Sequence, residues 1–110
     1  MIRRPRQKND RHLDFIRGLP CAVCLNPTET EAAHVRYPDL RFGKRPTGKA
    51  EKPDDAFTVP LCGAHHREQH QQAERAWWDG YQIDPLMLAL ALYRVSGDHE
   101  AGERIVRAWH

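Results

Sequence analysis

The chain predicts a small α+β domain: a strand, a long basic loop, a second strand and a helix, with further helices on both flanks. Three observations lead there. Cys21-Ala22-Val23-Cys24 and Cys62-Gly63-Ala64-His65 are two knuckles of the same C-x-x-ligand spacing. Between them, residues 38–56 hold three prolines (Pro38, Pro46, Pro53), two glycines (Gly43, Gly48) and dense charge, with strand-favouring stretches on either side. From Ala64 the pattern turns helical, as His66, His70, Ala73 and Trp77 fall on one stripe.

The elements follow in order. Residues 1–8 are polar and basic, a loose arm. Asn9 or Asp10 caps a short helix through Arg17, with Leu13 and Ile16 inward and Gly18-Leu19-Pro20 ending it. Cys21 to Cys24 forms a tight turn, and Asn26-Pro27 leads the chain out. Thr28 to Tyr37 reads as a strand, weakened by its Glu and Ala residues, and Phe57 to Leu61 as its partner. The loop between them is long for a compact domain, and loops of that length tend to carry function. One helix is expected from Ala64 to Trp78, closed by Gly80. Asp84-Pro85 supplies a cap and a first-turn proline for a helix from Leu86 to Val95, with Gly97 as its stop. That helix is apolar nearly all round, as expected for a core element or an oligomer contact. Asp98 caps a last helix with Ile105, Val106 and Trp109 inward. The divisions are a basic arm and short helix over 1–18, a core over 19–80 and a helical extension over 81–110.

At 110 residues, with 40% hydrophobic and 29% charged residues, the chain is of globular composition. Such a length buries a modest core, which a structural metal would supplement. No apolar run reaches spanning length and the start lacks the apolar stretch of a secretion signal, so the expected setting is the cytoplasm, away from membranes. Three cysteines cannot pair off, and Cys21 and Cys24 sit at ligand spacing, which favours zinc over disulfides.

Net charge is only +2, but it is unevenly spread. Residues 1–53 carry 12 basic and 6 acidic side chains, and residues 54–110 carry 5 basic and 9 acidic. One cluster is Arg3, Arg4, Arg6, Lys8 and Arg11; the other is Arg36, Arg41, Lys44, Arg45, Lys49 and Lys52. Clusters of this kind suit phosphate backbones, and Arg41, Lys44, Arg45, Lys49 and Lys52 of the loop are the candidate nucleic-acid contacts.

The Cys and His residues exceed what one metal needs. Cys21, Cys24, Cys62 and His65 make a closed Cys3His set of the kind that holds structural zinc, although His65 and His66 could exchange roles. His66 and His70, four apart on a helix, stack on one face within reach of a second cation and leave open positions for substrate. His34 stands alone on the first strand, and the hairpin topology brings it opposite that pair.

With these residues in hand, the chain resembles the HNH nucleases of the ββα-metal class, most of all small phage and prophage members associated with recombination. The resemblance covers roughly residues 19–80. Its motifs are Cys21-x-x-Cys24, Ala33-His34-Val35-Arg36, Lys52-Pro53-Asp54-Asp55 and Val59-Pro60-Leu61-Cys62-x-x-His65-His66-x-x-x-His70. It implies that His34 is the general base, that His66 and His70 bind the catalytic cation, and that the Cys3His set is the structural zinc of many members. Typical members cut DNA phosphodiesters to a 5′-phosphate and a 3′-hydroxyl. Mg²⁺ is the first expectation for the cation, with Mn²⁺, Ni²⁺ or Zn²⁺ as alternatives.

Two departures stand out. Many members carry an acidic or His ligand just before the base, where this chain has Ala33; Glu31 and Asp55 are the carboxylates that could replace it. The middle Asn of the family's name falls near Phe57, with Asp54 or Asp55 as substitute. In the implied mechanism His34 takes a proton from water, which attacks phosphorus. Asp55 orients His34 or completes the metal shell, and Arg36 contacts phosphate. The arm and loop hold the DNA backbone without reading sequence. The rival readings are a zinc-stabilised DNA-binding module without catalysis, and a phage adaptor whose Leu86–Tyr93 segment docks a second copy or a recombination partner. A hydrolase of small phosphate esters fits the extended basic surface poorly.

Overall fold

The computed structural model describes residues 9–37 and 54–110. Among them are five α-helices and one two-stranded sheet, a small α+β arrangement in the order α1 (Asp10–Arg17), β1 (Thr30–His34), β2 (Thr58–Cys62), α2 (Gly63–Gln71), α3 (Glu74–Gly80), α4 (Pro85–Arg94) and α5 (His99–Trp109). No helix of the described residues is long and apolar enough to cross a membrane.

The strands pair antiparallel, with Thr30 opposite Cys62, Ala32 opposite Pro60 and His34 opposite Thr58. β1 is shorter than the expected 28–37, and β2 is displaced by one residue from the expected 57–61. The ladder is extended by the Val35 N–H donating to the Phe57 carbonyl at 2.9 Å. β2 is buried along its whole length, which its apolar Val-Pro-Leu sequence suits. The basic-loop residues Arg41, Lys44, Arg45, Lys49 and Lys52, the arm residues Arg3, Arg4, Arg6 and Lys8, and Pro38, Gly43, Pro46, Gly48 and Pro53 lie outside the described residues.

Side-chain caps set the helix starts. The Asn9 side chain accepts from the His12 N–H, Asp84 from the Leu86 and Met87 N–H groups, and Asp98 from the Ala101 N–H. Each removes an unsatisfied donor from a first turn, worth about 1 kcal/mol apiece. α1 buries Leu13 and Ile16 as expected, and also His12 and Phe15. Gly97, at φ 92°, makes the left-handed turn between α4 and α5 that a side chain would resist. Gly102 lets α5 approach the core, because a Cβ there would lie 2.7 Å from Phe15 Cζ and 2.9 Å from Leu19 Cδ2.

One apolar cluster joins these elements: Ile16 and Leu19 from α1 and its exit, Ala33 and Val35 beside Val59 and Leu61 from the hairpin, Trp78 from α3, Leu88 and Leu92 from α4, and Val106 from α5. Ile105 and Trp109 pack against it only partly buried. The helix from Pro85 is not buried all round, since Met87, Leu90 and Tyr93 are exposed while Leu86, Leu88, Ala89 and Leu92 are covered.

The expected single helix over 64–78 is broken. Gln72 and Ala73 are extended, and α3 starts afresh at Glu74. The Glu74 carboxylate accepts from the Arg36 N–H at 3.1 Å, from Gln69 Nε2 at 3.1 Å and from Trp78 Nε1 at 3.3 Å. Those bonds tie the start of α3 to the end of β1. The break turns Trp77 and Trp78 into the core while His70 stays exposed. A continuous helix would have put His70 and Trp77 on one stripe.

Candidate metal centres and catalytic histidines

The knuckle between α1 and β1 is a tight loop closed by the Leu25 N–H donating to the Cys21 carbonyl at 2.8 Å, with Leu25 at φ 61°. The Ala22 N–H donates to the Pro60 carbonyl at 2.9 Å, which docks this loop on β2. The second knuckle is the junction of β2 with α2, where Cys62 is both the last strand residue and the helix cap. Together they bring one donor atom each from Cys21, Cys24, Cys62 and His65 within 4.8 Å of one another.

These separations fit a metal ion. Cys24 Sγ lies 3.9 Å from Cys62 Sγ, and His65 Nδ1 lies 3.2 Å from Cys62 Sγ and 3.8 Å from Cys21 Sγ. Tetrahedral zinc, with bonds of about 2.3 Å to sulfur and 2.0–2.1 Å to nitrogen, requires roughly 3.8 Å between sulfurs and 3.5 Å from sulfur to nitrogen. Of the two histidines that could have completed this set, His65 is the one that does. Burial pushes the Cys21 thiol up to about 11. Burial also acts upward on Cys62, but the His65 and Ala64 N–H groups at the start of α2, with the Cys24 and Cys21 thiols, bring it below its ordinary value. A bound cation requires thiolates, and Cys62 is the ligand prepared to supply one.

The next residue, His66, belongs to a second group. His66 Nε2 and His70 Nε2 are 3.1 Å apart, on rings whose centroids are 4.8 Å apart. The 3.1 Å separation is that of an imidazole–imidazole hydrogen bond, and two imidazole nitrogens sharing one cation at about 2.0–2.1 Å would lie roughly 2.9–3.4 Å apart. His66 Nδ1 meets Glu31 Oε1 at 2.7 Å. His70 is lowered below its ordinary value, first by partial burial and then by the charges of His66 and Arg36.

His34 lies at the end of β1 with Nε2 3.0 Å from Asp55 Oδ1. Asp55 is fully buried, and its Oδ2 accepts from the Asn9 N–H at 2.7 Å. The turn that carries it is set by the Thr58 hydroxyl donating to the Asp55 carbonyl at 2.8 Å and the Phe57 N–H donating to the Asp54 carbonyl at 3.0 Å. Of the two places open to Asp55, beside His34 or beside the helix histidines, its carboxylate lies beside His34. Glu31, not Asp55, reaches the helix histidines. The last turn of α2 and the end of β1 are joined where Gln69 Nε2 donates to the His34 carbonyl at 3.3 Å. Arg36 is close enough to bear on His70.

Sequence reasoning missed His12. It is fully buried in α1, with Nδ1 2.8 Å from Ser96 Oγ and its ring 4.8 Å from the Tyr93 ring. Burial lowers it, against the opposing charge of Asp55. Its position one residue before Leu13 gave no sign of an inward side chain.

A family model described as a protein of unknown function (DUF968) matches residues 1–94. The chain belongs to this family. No curated protein and no solved structure matches it. The DUF968 match takes in both knuckles, His34, Asp55, His66 and His70, and runs to Arg94 at the end of α4. α5 lies past that limit.

Proposed function

We propose that this protein is a metal-dependent endonuclease of the ββα-metal HNH type that hydrolyses DNA phosphodiesters with little sequence preference. The observation that carries the reading is the His66–His70 pair, two imidazoles at single-ion spacing on the helix that follows a Cys3His knuckle. In this reading β1, β2 and α2 are the ββα unit, and the Cys3His zinc is structural.

Asp55 accepts Nε2–H from His34 and so selects the tautomer whose Nδ1 carries the lone pair. His34 then removes a proton from the water that attacks phosphorus, a contribution of about 10²–10⁴-fold. His66 and His70 would hold the divalent cation, which would supply Lewis-acid stabilisation of the charge that grows on the phosphate in the transition state. Arg36, near His70, meets a phosphate oxygen. The basic clusters, with Arg41, Lys44, Arg45, Lys49 and Lys52 among them, hold the backbone, so binding weakens steeply with salt.

The test is supercoiled plasmid incubated with the zinc-loaded chain and Mg²⁺, Mn²⁺ or Ni²⁺. Nicking that depends on added ion and falls by about 10²–10⁴-fold in His34→Ala, with DNA binding kept, is the expected result. Binding without nicking under every ion would instead favour a zinc-stabilised DNA-binding module, the alternative suggested by the buried, ligand-free side chain of Ala33.

A further inference from the structure

Ala33 leaves the proposed cation short of a carboxylate, and β1 offers another on the same face. Side chains two apart on a strand share a face, so Glu31 projects from the same face of β1 as Ala33, and there it meets His66 of α2. Its Oε1 lies 2.7 Å from His66 Nδ1, on the side of the ring away from the nitrogen that faces His70. Its Oε2 occupies the space over Gly63, 3.4 Å from where a Cβ on that residue would stand, with Arg67 Nη1 3.3 Å from the same point.

We infer that Glu31 is a positioning residue for the second metal centre, acting through His66 and not as a ligand itself. By accepting Nδ1–H it fixes the tautomer in which His66 Nε2 bears a lone pair. It also holds the ring at the angle that brings Nε2 to 3.1 Å from its His70 counterpart. Outer carboxylates of this kind raise the basicity of a ligating imidazole, and removing one typically costs about 10–100-fold in metal affinity. The inference rests on the metal-dependent reading above and names the device that would make a two-histidine site bind.

The experiment is calorimetric titration of the full-length, zinc-loaded chain with Ni²⁺, with zinc content checked before and after. Wild type is expected to take up one Ni²⁺ that His66→Ala and His70→Ala abolish. Glu31→Ala is expected to bind it about 10–100-fold more weakly, whereas Glu31→Gln, which keeps a carbonyl acceptor for Nδ1–H, stays within a few-fold of wild type. Nitrogen-15 spectra of the Ni²⁺-free protein should show the Nδ1–H tautomer at His66 in wild type and Glu31→Gln, and its loss in Glu31→Ala. Equal affinity in wild type and Glu31→Ala overturns the role of Glu31 alone. A Glu31→Gln defect as large as that of Glu31→Ala overturns it too, because the carboxylate would then be required as a ligand or a charge. Wild type that takes up no second ion overturns both this inference and the cation reading of the His pair.

Discussion

Replacing Asp55 should damage stability and activity together, by amounts the structure allows to be separated. The carboxylate is fully buried and accepts one bond from the Asn9 N–H at 2.7 Å and one from His34 Nε2 at 3.0 Å. A bond to a charged acceptor contributes about 1.5–3 kcal/mol, and truncation leaves the donors facing a void. Against that stands the relief of no longer burying a charge, so Asp55→Ala should cost about 2–4 kcal/mol. At roughly 4 °C per kcal/mol for a chain of this size, the melting temperature falls by about 8–16 °C. Asp55→Asn keeps one acceptor oxygen and nearly the same volume, and should lose about half as much. Activity should follow a different order. Asp55→Asn still offers Nε2–H a neutral acceptor, but neither variant keeps the carboxylate charge that would stabilise the imidazolium formed when His34 takes up the proton from water. Plasmid nicking at a temperature where both stay folded should then drop by about 10²-fold or more in each. Circular dichroism melts give the first quantity and gel densitometry the second. A half-destabilised Asp55→Asn that nicks at the wild-type rate would refute the role of the Asp55 charge, and an Asp55→Ala that melts with wild type would refute the buried bonds themselves.

Two further outcomes are expected. Elemental analysis should find one tightly held zinc per chain. Its removal, or Cys62→Ser, should abolish the cooperative thermal transition, since structural zinc in small domains contributes about 10–16 kcal/mol against a total stability of about 5–15; a zinc-free chain that melts unchanged would contradict the Cys3His site. Stability should also fall as pH drops from about 6.5, because His12 is held below its ordinary value when folded and the unfolded chain takes up that proton more readily. Above that pH both states hold the ring neutral and the contribution is complete. Denaturant titrations at pH 7.5 and 5.5 should show a shallower loss in His12→Phe, and an equal loss in both proteins would remove His12 as the cause.

The parts of this molecule that could be read from its residues are those fixed by local chemistry. The Asn9, Asp84 and Asp98 caps and the two C-x-x-ligand turns each depend on residues a few positions apart, and each stands where spacing put it. The break at Gln72 and Ala73 does not work that way. It is held by the bond of Glu74 to the Arg36 N–H, a partner 38 residues away that only the folded chain brings near. Glu31 was an open choice for a similar reason, as a half-exposed strand carboxylate looks like any solvated charge until the helix is docked beside it. The same applies to His12, whose partner Ser96 is 84 residues away.

Cys62 sits at three boundaries at once: it ends β2, starts α2 and faces Thr30 across the ladder. A two-stranded ribbon is weakly held, and sliding it by one residue would swap the faces of every side chain. With this cysteine clamped to Cys21 and Cys24 through an ion, such a slip would pull a thiolate out of its coordination sphere. A bound metal would therefore work as an alignment pin, letting the two-stranded sheet of the described residues hold His34 steady.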